Sequence, residues 1–247
     1  MVLLLGVAAA LVVTASGTDD REFDYDHPFH SRADRPDAGT FTEAGSHGAP
    51  GFDDPSVREF LPFIVQDVEG FWVDQFQQEG VPYEYVRVVI FRRAARGACR
   101  TASRTTGPFY CPRDRRLYLE LGFFDALAQE YRARGDLALA YVVAHEIGHH
   151  VQALRGITAQ VDRAKRQRGA GPEELSTRLE LQADCFAGAW AYTTYERGML
   201  ERGDMAEALR ATAAVSETGT YGSVAQRRAW FTRGFKSGDP ADCDTFS

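Results

Sequence analysis

One stretch of the chain is apolar at nearly every position, and it predicts a helix that is buried on all sides. Residues 137–144 read Leu-Ala-Leu-Ala-Tyr-Val-Val-Ala. Asp136 before them is a favourable N-cap and Gly156 after them a favourable stop, so the pattern predicts one helix over 136–156. A helix without a polar face packs against neighbours on every side rather than lying on a surface.

The rest of the pattern predicts a mostly helical α+β domain, with a small antiparallel sheet beside the buried helix. Apolar alternation predicts strands at 85–91 and 116–121, separated by a polar loop at 97–112. Helical spacing predicts further helices from about residue 54 through Phe76 and at 123–132, 172–199, 204–217 and 223–234. An edge strand of such a sheet could hold an extended peptide by main-chain hydrogen bonds.

Polar side chains follow the apolar run inside the same predicted helix. His145 and His149 are four residues apart and therefore project from one face, one turn from each other. Buried imidazoles are costly unless something binds them, and this spacing is the one with which two histidines hold one metal ion. Glu146 follows the first histidine, as the His-Glu-x-x-His arrangement of zinc hydrolases requires of a general base.

A second predicted helix supplies the remaining groups of such a site. Glu180 and Asp184 are again four residues apart, among apolar neighbours. A catalytic zinc needs three protein ligands and an open position, so Glu180 can complete a His, His, Glu set. Asp184 can accept the free ring N–H of a ligand histidine and fix its tautomer.

Other zinc protease patterns are excluded by the same residues. A variant with a third histidine requires Gly and then His after the second ligand, whereas Gln152 and Arg155 stand at those positions. His150 lies on the face of Glu146, so we expect it to support the site or the core rather than to coordinate metal.

Length and charge set the context of this predicted site. The 247 residues are 44% hydrophobic, which suits one domain with a tail, and the net charge of −7 argues against nucleic-acid binding. Residues 1–17 carry no charged side chain and predict a membrane anchor or an export signal. Residues 18–54 predict a flexible linker, and 55–247 the folded domain. We therefore expect a domain anchored to the membrane by its N-terminus and facing outside the cytoplasm, or alternatively a secreted protein.

Over about residues 60–246 the chain resembles the bacterial neutral zinc metallopeptidases, a family of membrane-associated zincins. The resemblance rests on Gly-Pro-Phe-Tyr-Cys-Pro at 107–112, His-Glu-Ile-Gly-His-His-Val-Gln at 145–152, Glu-Leu-Gln-Ala-Asp-Cys-Phe-Ala-Gly at 180–188, Gln226-Arg227, Trp230-Phe231 and Cys-Asp-Thr-Phe at 243–246. It implies a zincin-like fold, zinc ligands at His145, His149 and Glu180, and Glu146 as general base.

These observations together predict a zinc-dependent peptidase acting on a protein or peptide substrate. Two alternatives share the site: a zinc-binding scaffold or chaperone-like membrane protein that cleaves little, and a metallohydrolase acting on a non-peptide amide. Glu146 favours an enzyme over a scaffold, because zinc binding alone does not need that carboxylate.

The chain departs from the family pattern at Tyr221. The family usually has His-Gly before the Gln-Arg element, and this chain has Tyr221-Gly222. A phenol can donate a hydrogen bond to a developing oxyanion as an imidazole can. The alternative is that Tyr221 only packs in the turn before the last helix.

The four cysteines allow three pairings. We predict that Cys99 pairs with Cys111, closing a short polar loop, and that Cys185 pairs with Cys243, tying the C-terminal tail to the helix of Glu180. An exported location permits both bonds.

Overall fold

A computed structural model of the chain describes residues 20–24, 40–44, 55–103, 107–130, 136–167, 171–217 and 222–247. Within these ranges the α-helices are α1 Pro55–Gln78, α2 Leu121–Glu130, α3 Asp136–Leu154, α4 Ile157–Arg166, α5 Pro172–Glu196, α6 Asp204–Glu217 and α7 Val224–Ser237. The strands are β1 Asp20–Asp24, β2 Thr40–Ala44, β3 Arg87–Phe91, β4 Ala94–Arg96, β5 Thr101–Ser103, β6 Phe109–Cys111 and β7 Arg116–Glu120, and a 3-10 helix spans Pro240–Cys243. The predicted class, mostly helical α+β, is confirmed.

The main sheet is mixed, which corrects the prediction of an antiparallel one. Its order is β1-β2-β3-β7-β6, and β3 and β7 run parallel, with Arg87 opposite Arg116. Parallel neighbours need a crossover of a dozen or more residues, and residues 92–115 provide it. The short turn between β6 and β7 makes that pair antiparallel.

The predicted central helix forms the middle of the core. Tyr141, Val143 and Ile147 of α3 are completely buried, with α1, α5, α6 and β6 packed around the helix. It ends two residues before the predicted stop, because Gly156 adopts a left-handed conformation with φ of 71° and begins α4 directly. Helix α4 was not predicted from the sequence; most of its residues are polar or charged, and Val161 is its single buried residue.

Two glycines let α5 and α7 cross with their backbones in contact. A Cβ added to Gly188 would lie 2.1 Å from the carbonyl oxygen of Phe231, and one added to Gly234 would lie 1.9 Å from that of Cys185. No larger residue fits at either position without a shift of backbone. This close crossing carries α7 against the face of α5 that holds Glu180 and Asp184.

Both predicted disulfides are present in the structure. Cys99–Cys111 joins the turn between β4 and β5 to strand β6. Cys185–Cys243 joins α5 to the 3-10 helix near the C-terminus.

Several predictions concern residues outside the described ranges. Residues 1–17 and Tyr221 lie outside them, so the N-terminal anchor or signal and the role of Tyr221 stay predictions. Of the predicted linker 18–54, the structure describes only β1 and β2, which pair with each other, and β2 also pairs with β3. Among the helices that the structure describes, none has the length and apolar character needed to span a bilayer.

Candidate metal centre

Two histidines of α3 and one glutamate of α5 converge. Ligand atoms of His145, His149 and Glu180 all lie within 4.8 Å of one another. Nε2 of His145 is 3.2 Å from Oε2 of Glu180, and Nε2 of His149 is 3.5 Å from its Oε1. Gly148 permits this approach, because even a Cβ there would lie 3.2 Å from the Cα of Ala183 on α5.

The tautomer of His145 is set by Asp184. Its Nδ1–H donates to Oδ1 of Asp184 over 2.9 Å, because a carboxylate can only accept. The hydroxyl of Tyr141 donates to the same oxygen over 2.6 Å. Nε2 of His145 is therefore the nitrogen that faces Glu180, as the sequence analysis expected of this pair.

The tautomer of His149 is set by Gln152, a role that sequence analysis missed. The amide nitrogen of Gln152 donates to the carbonyl oxygen of Leu179 over 2.8 Å, so its Oε1 must be the atom that lies 2.9 Å from Nδ1 of His149. That oxygen accepts the Nδ1–H and leaves Nε2 to face Glu180. In the sequence, Gln152 excludes another motif and belongs to the family element at 145–152, but neither observation assigns it this role. Its position three residues after His149 on a helix was the available signal.

This arrangement fits a cation. Two imidazole lone pairs and one carboxylate that face each other repel unless a proton or a metal ion lies among them. Burial disfavours the imidazolium form of His149, but the Glu180 and Glu146 carboxylates and the hydrogen bond to Gln152 together outweigh burial and raise the pKa of His149 to about 9. Burial likewise opposes ionisation of Glu180, yet His149 and His145 hold its pKa well below the usual range. Two nitrogens and one carboxylate form the donor set of a catalytic zinc site with an open position.

Arg227 is the second site residue that sequence analysis missed. Its Nε and one terminal nitrogen donate to the two oxygens of Asp184 over 2.8 and 3.0 Å. The same terminal nitrogen lies 3.6 Å from Oε2 of Glu180. Burial raises the pKa of a carboxyl group, but Arg227 and His145 together outweigh burial and lower the pKa of Asp184. Arg227 therefore keeps Asp184 ionised and in place, and its occurrence in the Gln226-Arg227 element was the only signal in the sequence.

Glu146 lies beside the cluster and is held by strand β6. Its Oε2 accepts the backbone N–H of Tyr110 over 2.7 Å, which leaves its other oxygen available to a substrate or a water molecule. Burial raises the pKa of Glu146, although His149 and His145 oppose the shift. A buried carboxylate with a raised pKa suits proton transfer near neutral pH.

His150 supports the core rather than the cluster. Its Nε2–H donates to the carbonyl oxygen of Glu84 over 2.6 Å, and its Nδ1 accepts from the hydroxyl of Tyr110 at 3.1 Å. Burial lowers the pKa of His150 to about 4, so the ring is neutral at physiological pH. Its contacts agree with the supporting role expected from the sequence.

A cleft of about 390 Å³ opens over these groups. Its polar wall includes His145, Glu146, His149, Glu180 and Arg227. Strand β6 and its flanks form another wall, and α4 and α5 form a third. These two walls include Pro108, Phe109, Tyr110, Pro112, Thr158, Lys165, Ser176 and Leu179. The dimensions and mixed lining are those of a site for a small ligand or a short peptide segment.

Comparisons with known proteins agree with this geometry. The model of a family described as "Putative neutral zinc metallopeptidase" matches residues 4–246. The chain is 40% identical over 210 residues to the uncharacterized protein YpfJ of Escherichia coli K12, covering 78% of this chain and 73% of that protein. It is 38% identical over 234 residues to the uncharacterized protein Rv2575 of Mycobacterium tuberculosis H37Rv, covering 81% of this chain and 78% of that protein. No solved structure is significantly similar to the chain.

Proposed function

Since this chain belongs to the neutral zinc metallopeptidase family, we propose that it is a zinc-dependent peptidase that hydrolyses peptide bonds outside the cytoplasm. The observation that carries the proposal is the meeting of His145, His149 and Glu180 with the Glu146 carboxylate beside them. The relatives are uncharacterized, so the activity rests on the chemistry of this site.

His145, His149 and Glu180 would hold the zinc, with Nε2 of both rings and the carboxylate as donors. When bound, zinc supplies Lewis acidity, which polarises a substrate carbonyl and lowers the pKa of water to about 7. Asp184 and Gln152 keep both rings oriented by accepting their Nδ1–H groups. Such partners raise the basicity of the ligands and limit their motion.

Glu146 would carry the proton during hydrolysis. Its oxygen that does not bind the N–H of Tyr110 takes a proton from the attacking water and later delivers it to the leaving amine. The carboxylate is buried and fixed by a backbone donor, so it needs little reorganisation between these two steps.

Strand β6 limits how a peptide can lie in the cleft. β6 is the last strand of the sheet, and Tyr110 donates its N–H outward, to Glu146. Residues two apart point their backbone groups to the same side, and Pro108 and Pro112 have no N–H. This edge therefore offers carbonyl acceptors but no free donor. A substrate can place its N–H groups there, while its carbonyl and carboxylate oxygens need donors from side chains.

The proposed location is extracytoplasmic, with residues 1–17 as the membrane anchor and a secreted form as the alternative. It is supported by the two disulfides, which persist in oxidising compartments. The proposed partners are a protein or peptide substrate and the membrane, with no nucleic acid, in keeping with the net charge of −7.

The test is zinc analysis together with peptide-library digestion of the purified chain. We expect one zinc per chain, lost in His145→Ala, His149→Ala and Glu180→Ala but kept in Glu146→Gln. Cleavage should be lost in all four variants, because Glu146 acts on the proton and the other three hold the metal.

Three results would contradict the proposal. Full zinc content in Glu180→Ala would remove Glu180 from the ligand set. Stoichiometric zinc without cleavage by the wild type would favour a zinc-binding scaffold, and hydrolysis of amides other than peptides would favour the third class of function.

A further inference from the structure

Arg100 occupies a turn that is fixed against the cleft. The turn connects β4 to β5, and the backbone N–H of Gly97 donates to the carbonyl oxygen of Arg100 over 3.2 Å. The Cys99–Cys111 disulfide joins this turn to β6, and Oδ2 of Asp114 accepts the N–H of Ala98 over 3.0 Å. The residue next to Cys99 is therefore held in register with the strand that binds Glu146.

The guanidinium of Arg100 is oriented by aromatic stacking. Its Cζ lies 4.1 Å from the ring centroid of Phe109, and that ring is stacked on Tyr118 with centroids 4.9 Å apart. Arg100 and Phe109 both line the cleft. A guanidinium on an aromatic face keeps its N–H donors free at its edge, where a carboxylate can bind them in pairs.

No carboxylate of the described residues is paired with Arg100. Arg227, another cation of the cleft, is paired with the buried Asp184. The lining carboxylates are Glu146 and Glu180, and both belong to the metal centre. Lys165 on α4 is a further lining cation without an acidic partner in the described part of the chain. Outside the groups of the metal centre, the cleft thus presents two cations that are not paired with a described carboxylate, Arg100 and Lys165, although the whole chain has a net charge of −7.

We propose that the cleft selects peptides with an acidic side chain close to the cleaved bond, and that Arg100 binds this carboxylate. This inference rests on the proposed peptidase activity and names its substrate class. The exposed edge of β6 has no free N–H donor for the oxygens of a substrate. Arg100 provides such donors on the same wall of the cleft. A fixed and unpaired guanidinium loses little conformational entropy on binding, so its contribution to specificity is large for an exposed residue.

The test compares fluorogenic peptides that are identical except for Glu, Gln or Lys at each position flanking the cleaved bond. At one of these positions, the wild type should cleave the Glu peptide with a kcat/KM at least about tenfold above that of the Gln peptide. A difference of this size is expected of one charge-assisted hydrogen-bonded pair between Arg100 and the Glu side chain. In Arg100→Gln this ratio should fall close to one. In Arg100→Glu the preference should turn to the Lys peptide, which a merely structural role of Arg100 would not produce.

Arg96 provides the matched control. It is exposed on β4 of the same hairpin and does not line the cleft, so Arg96→Gln should keep the wild-type ratio. Thermal unfolding of all variants, and their zinc content, verify that fold and metal are intact.

The outcomes separate this inference from the proposed function. Absence of cleavage of every peptide by the zinc-loaded wild type contradicts the peptidase proposal itself. Cleavage without a preference for Glu, or a preference that survives in Arg100→Gln, overturns the role of Arg100 and leaves the peptidase proposal standing.

Discussion

At the scale of single residues, the site depends on which nitrogen of each histidine is turned toward Glu180. Asp184 fixes His145, and Gln152 fixes His149, by accepting their Nδ1–H groups. The two acceptors differ, because Asp184 is a buried carboxylate neutralised by Arg227, whereas Gln152 is a neutral amide whose own N–H groups bind Leu179 and Gln182. The neutral amide orients His149 without adding negative charge to the centre.

Gln152→Leu should weaken zinc binding without removing a ligand. The substitution leaves His149 in place but removes the acceptor that holds its ring, and loss of such a partner costs about 10- to 100-fold in metal affinity. Competition with a chromogenic chelator measures the change. Gln160→Leu on the exposed face of α4 is the control, and equal affinities of the two variants would show that Gln152 does not orient the ligand.

His150 should make stability fall in acid. Burial lowers its pKa to about 4 in the folded protein, whereas an unfolded histidine titrates near 6.5. Between these two pKa values the unfolded chain binds a proton that the folded chain does not. The contribution of the neutral His150 ring to the free energy of unfolding is therefore fully present above about pH 6.5 and is lost as the pH falls toward about 4.

Urea unfolding of the metal-free protein at several pH values checks this prediction. Between about pH 6.5 and 4, the free energy of unfolding of the wild type should fall by about 3 kcal/mol more than that of His150→Gln, whose side chain does not titrate. Parallel pH profiles of the two proteins would contradict a neutral, buried His150.

At the scale of elements, the crossing of α5 and α7 positions the site. Gly188 and Gly234 bring the two backbones into contact, and this contact allows Arg227 of α7 to reach Asp184 of α5. Glycine lowers helix propensity, so its presence in the middle of both helices has a cost that the close packing must exceed.

Gly234→Ala should therefore destabilise the fold by about 3 kcal/mol or more, because the added Cβ would lie 1.9 Å from a carbonyl oxygen of α5 and the helices would have to separate. Gly70→Ala in α1 is a matched control, since nothing lies within 4 Å of a Cβ there. It should instead stabilise by about 0.5–1 kcal/mol through helix propensity. Denaturant unfolding measures both, and a neutral Gly234→Ala would mean that the crossing can widen freely.

At the scale of the whole molecule, two disulfides close loops of very different length. Cys99–Cys111 spans 12 residues and fixes the hairpin turn of Arg100, whereas Cys185–Cys243 spans 58 and fixes the C-terminal tail to α5. The tail is also held by Gln182, whose amide nitrogen donates to the carbonyl oxygen of Cys243 over 3.1 Å. Gln182 in turn accepts from Gln152, so the anchored tail supports the partner of a ligand histidine.

Replacing both cysteines of a pair by alanine should affect global stability unequally. In the chain-entropy model the longer loop contributes about 4 kcal/mol and the shorter about 3 kcal/mol, and the longer one also holds the tail. Cys185→Ala with Cys243→Ala should therefore lower the free energy of unfolding more than Cys99→Ala with Cys111→Ala. Urea unfolding of the non-reduced proteins decides the order, and the reverse order would contradict the prediction.

The sequence by itself determined those features that depend on local geometry. A helical period places His145 beside His149 and Glu180 beside Asp184 wherever the two helices lie, so the donor set could be predicted from spacing and burial. The bounds of α6 and the class of the fold were predicted for the same reason, because apolar periodicity is a local signal.

Only the tertiary structure decided which distant groups meet. Arg227 is 43 residues from Asp184, and Tyr110 is 36 residues from Glu146, and no local pattern specifies either contact. The parallel pairing of β3 with β7 depends on the path of the crossover between them, and the stacking of Arg100 on Phe109 depends on the disulfide that fixes its turn. The physical reason is that helical and strand periods fix the direction of side chains within one element, whereas the packing of elements fixes the distances between them.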